Sequence, residues 1–452
     1  MTSHRLRSAT AGACIAASLA LATGAASAQS ASESELARRL DQLAAELANV
    51  KAELARLQSE RAAAPATAAP ATAALPALAT QAAAPPAAVA APVAAAPQGP
   101  GLSIGPATVL TSYGEINYNR PTNDSKNAVA DLRRFVLGFQ HRFDEKTKVV
   151  TEVEVEHAVS SASDPGEVEI EQAYVERQLS SQWALRGGLF LIPAGLLNEN
   201  HEPTAYYGVE RNFVETAIIP STWREGGIQF VGNFDNGLTA QFGVTTGFDL
   251  TKWDATSSEG AESPLGSIHQ ELSLAKARDL SVFGALNWRG VPGLLLGGSV
   301  FTGGATHGQT ATSSRVTLWD VHARYTPGRW DLAALYSRGT ISNTAALNTP
   351  LVGSMTLIPK SFDGWYAQAA YKVWSNADYT LAPFVRWEQF NTARSFESLG
   401  AGLTPTAAPT QRVATVGANF SIGSGVVLKA DYQRFRENRD ADRIDLGFGW
   451  SF

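Results

Sequence analysis

The stretch "RIDLGFGWSF", Arg443 to Phe452, decides the fold. Ile444, Leu446, Phe448, Trp450 and Phe452 are apolar and share one face of an extended chain, while Asp445, Gly447, Gly449 and Ser451 fill the other. A period of two marks a strand with one oily face. Upstream, "RRFVLGFQHRF" repeats the pattern: Phe135, Leu137, Phe139 and Phe143 oppose Arg134, Gly138, Gln140 and Arg142.

Working outward, sixteen such segments are predicted near 107–119, 131–143, 148–158, 167–179, 183–192, 224–234, 238–247, 278–289, 294–302, 315–326, 330–340, 362–373, 379–391, 410–422, 426–437 and 442–452. Connections after even-numbered strands are short: "DEKT", "SSQ", "DNG", "GVPG", "PGR", "WSNAD" and "GSG". Those after odd-numbered strands are mostly long, including a 31-residue stretch from 193 and about 30 residues from 248; only the last, near Asn438, is short. An even number of strands with alternating short turns and long loops is the pattern of an outer-membrane barrel. Closure leaves no unpaired edge, the condition for a sheet to stand in lipid. A β-propeller or β-helix would need a repeating unit, which the sequence lacks. Residues 101–452 are therefore expected to be all-β, a sixteen-stranded antiparallel transmembrane β-barrel.

Before the barrel come three other segments. Arg5 and Arg7, the small apolar run Ala9–Ala26 and Ala26-Ser27-Ala28 form a signal peptide over 1–28, cleaved after Ala28. Residues 29–61 hold Leu36, Leu40, Leu43, Leu47, Val50, Leu54 and Leu57, a heptad repeat that predicts an α-helical coiled coil over Leu36–Leu57. Residues 62–100 form an Ala/Pro-rich linker, whose prolines break any helix. The coiled coil suits self-association, or with the spacer a contact to the cell wall.

Charge and residue usage exclude several functions. Cys14 is the only cysteine and lies in the signal, so the mature chain has no thiol nucleophile, thiolate site or disulfide. The net charge is −6; six acidic and seven basic residues precede residue 101, leaving 36 acidic and 29 basic after it. Nucleic-acid binding needs a basic face, which is missing. The seven histidines are scattered, His201 has no partner four residues away, and no phosphate-binding glycine loop occurs. Asp440, Asp442 and Asp445 lack the Gly and Glu of a calcium loop. No catalytic constellation, metal site or cofactor is expected, and the chain does not read as an enzyme.

The alternation also places charges. Glu152, Glu154 and Glu156 alternate with valines on strand 3, and Glu167, Glu169 and Glu171 with Val168 and Ile170 on strand 4. The apolar residues belong to lipid, so these carboxylates should face the lumen. Arg134 and Arg142 on strand 2, Arg177 on strand 4 and Arg186 on strand 5 should face the same way, with Arg134 opposite Glu156. Two readings stay open: the charges pair and stiffen the wall, or they set a transverse field that sorts ions.

The densest polar stretch, "LFLIPAGLLNENHEPTAYYGVERNFVETAIIPSTWREGG" over 189–227, falls between strands 5 and 6 on the long-loop side. There it is expected to constrict the pore. Asn198, Glu199, His201, Glu202, Glu210, Arg211 and Arg224 are the candidates for holding the loop or lining its narrowest point. Tyr206, Tyr207 and Trp223 could offer stacking surfaces to sugars.

Three stretches in order, "FVLGFQHRFDEKTKVVTEVEVEHA", "GEVEIEQAYVERQ" and "GLFLIPAGLLNENHEPTAYYGVERNFVETAIIPSTWREGG", give most of residues 101–452 a resemblance to the phosphate-selective porins O and P of Gram-negative outer membranes. The resemblance implies a homotrimer of sixteen-stranded barrels packed through their walls in outer-membrane lipid, an inward-folding third external loop, and passive uptake of phosphate, polyphosphate or related anions. Phosphate selectivity in that family goes with basic residues along the pore, whereas this barrel region is net acidic and holds eight lysines. The alternatives are a general or carbohydrate-type porin without phosphate selectivity and an envelope-tethering barrel.

Overall fold

A computed structural model describes residues 101–452 except 162–163, together with four isolated positions, Arg38, Ala45, Ala52 and Arg56, all helical. The signal peptide, the Leu36–Leu57 coiled coil with the self-association argued from it, and the Ala/Pro linker lie outside the described residues.

Sixteen strands form one meander. They are β1 Thr108–Pro121, β2 Val129–Arg142, β3 Thr147–Val155, β4 Val168–Gln178, β5 Trp183–Leu191 and β6 Arg224–Asn233. Then come β7 Leu238–Thr245, β8 Ser281–Trp288, β9 Leu294–Gly304, β10 Arg315–Tyr325 and β11 Trp330–Ile341. The last are β12 Ser361–Tyr371, β13 Tyr379–Ser395, β14 Gln411–Ile422, β15 Val426–Phe435 and β16 Arg443–Ser451. Each pairs antiparallel with the next, and β16 returns to pair with β1, Tyr113 opposite Ser451. Ser112 and Phe452 exchange backbone bonds of 3.0 and 2.9 Å, completing the closure at the chain's last residue. All sixteen stand where the alternation predicts them, with bounds differing by a few residues.

The pleat sorts side chains as expected. Phe135, Leu137 and Phe139 are exposed on the outer face, while Val136 between them is 1 % exposed and faces in. Ile444, Leu446 and Phe448 are exposed, and Asp445 is buried. One expectation fails. In β4, Glu152 pairs with Gln172 but Val153 pairs with Ile170, so Glu171 is an extra, bulged residue. Glu171 and Gln172 are both buried, and the phase flips from there on. Because a bulge inserts one residue into a period of two, Arg177 lands on the outer face with Val175 instead of in the lumen. It pairs at 3.1 Å with Asp144 of the short turn.

The barrel is not hollow. A buried cluster gathers Trp223, Val214 and Ile218 from the loop 192–223, Phe248, Leu265 and Ile268 from the loop 246–280, and wall residues such as Phe301, Leu318 and Leu335. Trp223 stacks on Phe248 at 5.1 Å and meets Phe301 edge-on at 4.6 Å between centroids. Two long loops thus share an apolar core inside one side of the barrel, toward the long-loop end. Apolar burial holds the third loop inward before any polar contact is counted.

Candidate functional site

The third loop leaves the wall after Leu191. Gly195 sits at φ +70°, a left-handed conformation that turns the chain inward at no Cβ cost. Asn198 closes the loop's neck: its amide donates to the carbonyls of Ile192 and Trp223 at 2.7 Å each, and its oxygen accepts from the Trp223 amide at 2.7 Å. One side chain thus ties both ends of the loop together. Glu215, fully buried, accepts from the amides of Leu196 and Leu197, from Asn212 and from the Tyr366 hydroxyl of β12.

From this base the loop runs into the lumen and bonds to the wall from β4 and β1 round to β15 and β13. His201 meets Glu171 of β4 at 2.9 Å and Tyr113 of β1 at 2.7 Å. Burial opposes its charged form, but the Glu171 carboxylate outweighs that and raises its pKa. The Tyr206 hydroxyl donates to Glu115 of β1 at 2.7 Å, and Lys429 of β15 stands 3.4 Å over its ring. Farther along, the Val209 and Phe213 amides donate at 2.6 Å each to Asp431 of β15 and Glu388 of β13. Arg386 of β13 donates to the Tyr207 carbonyl at 3.0 Å. The loop's backbone groups would otherwise lose water without a partner; wall side chains supply the bonds.

The candidate loop residues divide by position. Glu210 accepts from Asn117 and Asn119 of β1 at 3.2 and 3.1 Å. Arg211 stays within the loop, donating to Ser221 at 2.9 Å and to the His201 carbonyl at 3.2 Å. Arg224, at the loop's return, bridges Glu169 and Glu271. Glu202 is buried beside His201. Glu199 accepts from Gln241 of β7 at 2.8 Å and borders open space.

The wall charges pair sideways. Arg134 bonds Glu115 at 2.9 Å and Glu154 at 3.3 Å, and lies 3.9 Å from Glu156, one step on from the Phe135–Val155 pair. Arg186 bonds Glu176 at 2.7 Å, and Lys148 reaches the same carboxylate at 3.1 Å. Glu152 is bonded by Gln172. Arg142 lies exposed at the short-turn end of β2, and Glu167 is exposed at the long-loop end of β4. This lateral pairing leaves little uncompensated charge on β2–β5 to act across the pore.

Open space lies on the other side of the loop. A cavity of about 430 Å³ on the short-turn side is lined by Glu199 and Asn200 of the loop and by Asn287, Arg289, His322 and Arg324 of the wall. A smaller space of about 30 Å³ beside it, called the neck, shares Leu196 and Arg324, and adds Tyr206, Tyr207, Asn212, Tyr366, Gln368 and Arg386. Arg324 is held bidentate by Asp331 at 2.9 and 2.7 Å. These arginines escaped the sequence reading. Their signal was present in "FVRWEQF", where Arg386 and Glu388 alternate with Val385 and Trp387, as it was on strands 3 and 4. Of the loop aromatics, Trp223 is 0 % exposed, while Tyr206, with Lys429 over one face of its ring, and Tyr207 both border the neck.

No family model matches the chain. An uncharacterised protein of Aquifex aeolicus is 29% identical over 364 residues, 78% of this chain and 80% of its own length. OmpF of Salmonella typhi, solved with daunomycin, superposes with a TM-score of 0.53 at 14% identity, over 76% of this chain and 97% of that one. The outer-membrane channel DcaP of Acinetobacter baumannii gives 0.49 at 14% identity, over 78% and 99%. The OmpF likeness establishes the fold: this is a sixteen-stranded barrel of the outer-membrane porin type.

Proposed function

We propose that the protein is a passive outer-membrane channel for small hydrophilic solutes, with anions such as phosphate or polyphosphate preferred, and not an enzyme. The observation that carries this is the neck beside the third loop. Arg324 and Arg386 enter it from β10 and β13, and Arg289 borders the vestibule below. A narrow, poorly hydrated passage strengthens the field of such groups, so fixed guanidinium groups favour anions there even in a chain of net negative charge. The carboxylates that dominate the count are engaged in part elsewhere: Glu115, Glu154 and Glu176 hold arginines of β2 and β5, and Asp431 and Glu215 hold the loop, while Glu388 divides between the Phe213 amide and Arg386 at 2.6 Å and Asp331 holds Arg324.

Reversal potentials in planar bilayers under a potassium chloride gradient test the reading. Chloride preference and block of chloride current by added phosphate are expected. Cation preference with no block would remove the anion reading and leave a general porin. The sugar-type alternative loses one of its three aromatic platforms, Trp223, which is fully buried.

A further inference from the structure

We propose that the outer face of β12–β15 binds a phosphorylated glycolipid of the outer leaflet, with Arg434 taking the phosphate and an alanine trough below it taking an acyl chain. The trough follows from register. One row of directly paired, outward residues reads Ala367, Trp387, Ala414, Arg434; the next, toward the periplasm, reads Ala369, Val385, Val416, Tyr432. Alanines beside Trp387 and Tyr432 leave a depression, a groove of about 630 Å³. Below it, Ala418 and Ala430 pair with each other and put only methyl groups on the outer face. From Arg434 to Leu428 the strand runs roughly 20 Å, much of the ~30 Å hydrocarbon layer.

The polar end fixes the occupant. Arg434 is the penultimate residue of β15 before the external loop 436–442, so it stands at the outer leaflet's headgroup level. Trp387 and Tyr432 sit where interfacial aromatics belong. The Tyr432 hydroxyl donates to Asp442 at 3.2 Å, which holds its ring as one wall of the groove. Arg434 is exposed and has no hydrogen bond or ion pair with any described residue, and neither does the side chain of Arg436 beyond it. The nearby Glu437 is engaged by Arg412 at 2.6 Å. This rim is therefore cationic, with Arg434 and Arg436 unpaired and Glu437 bound by Arg412. A second copy presenting the same face would set arginine against arginine, whereas a phosphate above acyl chains complements both halves.

The test is native mass spectrometry of the detergent-purified full chain with phosphorylated lipid A, dephosphorylated lipid A and phosphatidylglycerol. The wild type should retain the phosphorylated form over the other two. Arg434→Gln should lower its retention about tenfold, the loss of one charge-assisted bond. Ala414→Leu, which fills the trough, should lower it as well, and both variants should keep wild-type conductance as evidence of folding. Equal retention by wild type and variants, or preference for phosphatidylglycerol, overturns the proposal. So does oxidative cross-linking of Ala414→Cys between copies, which assigns the face to a protomer contact.

Discussion

His201 Nε2 stands 2.9 Å from Glu171 Oε1, and its Nδ1 lies 2.9 Å from the Asn198 carbonyl. Nδ1 must carry a proton to bond a carbonyl. Nε2 faces a carboxylate and the Tyr113 oxygen, whose own proton goes to Glu171 at 2.8 Å. Both ring nitrogens are therefore protonated, and the third loop is clamped to the wall by a buried imidazolium–carboxylate pair.

The clamp makes loop anchorage depend on pH. His201 titrates above its ordinary value of about 6.5. A raised pKa in the folded state contributes stability that is complete below about 6.5 and is lost as pH rises through the higher folded value. Hydrogen exchange of the amides from 198 to 213 should therefore speed up with pH beyond its intrinsic base dependence. His201→Ala should abolish that extra dependence and cost about 3 kcal/mol, since it strands the Glu171 carboxylate. Protection that tracks intrinsic exchange alone would count against the clamp.

Glu215 gives a second test. Its Oε1 accepts from the Leu196 and Leu197 amides at 2.5 and 2.8 Å, and its Oε2 from Asn212 and Tyr366 at 2.9 and 2.8 Å. Glu215→Gln keeps the shape but puts an amide donor against donors in either orientation. A loss of about 3 kcal/mol is expected, against about 1 kcal/mol for Tyr366→Phe, which removes one donor. Urea unfolding of both variants in lipid vesicles would read this order, and near-equal losses would contradict it.

How much of this the sequence disclosed follows from what a period of two encodes. It gave the strands, the closure and the inward phase of Arg134, Glu152, Glu154 and Arg186, because lipid permits only apolar residues on one face. It misplaced Arg177, because the bulge at Glu171 inserts a residue without breaking the apolar pattern around it. It marked the third loop as the expected constriction but did not disclose that loop's partners. Asp431, Glu388 and Tyr366 lie 222, 175 and 151 residues from the atoms they bond, and no local pattern carries such distances. The apolar core shared with the loop 246–280 was hidden for the same reason.

Gly195 ties backbone to site. A Cβ at its φ of +70° would lie 2.4 Å from Glu215 Oε1 and 3.1 Å from Ile219. Gly195→Ala therefore combines a left-handed alanine with displacement of the carboxylate that holds the loop base. A destabilisation of at least about 2 kcal/mol is expected, together with larger open-channel noise in bilayer recordings as the loop base loosens. A quiet channel of wild-type stability would show that the base tolerates the shift.

Charge selectivity separates the two arginines that sequence and structure place differently. Arg324 lies in the neck and the vestibule, with Asp331 as its partner. Arg324→Gln removes one positive charge from the lining of both spaces and frees the Asp331 carboxylate to repel anions. A unit charge about 4 Å from a passing ion is worth about 1 kcal/mol even in water-like surroundings, so the chloride-to-potassium permeability ratio should fall about fivefold. Arg177→Gln alters a residue that strand alternation alone would put in the lumen and the bulge puts outside. Its permeability ratio should match the wild type. If both substitutions move the ratio equally, the anion preference is not set at the neck; if Arg177→Gln alone moves it, the phase flip in β4 is wrong.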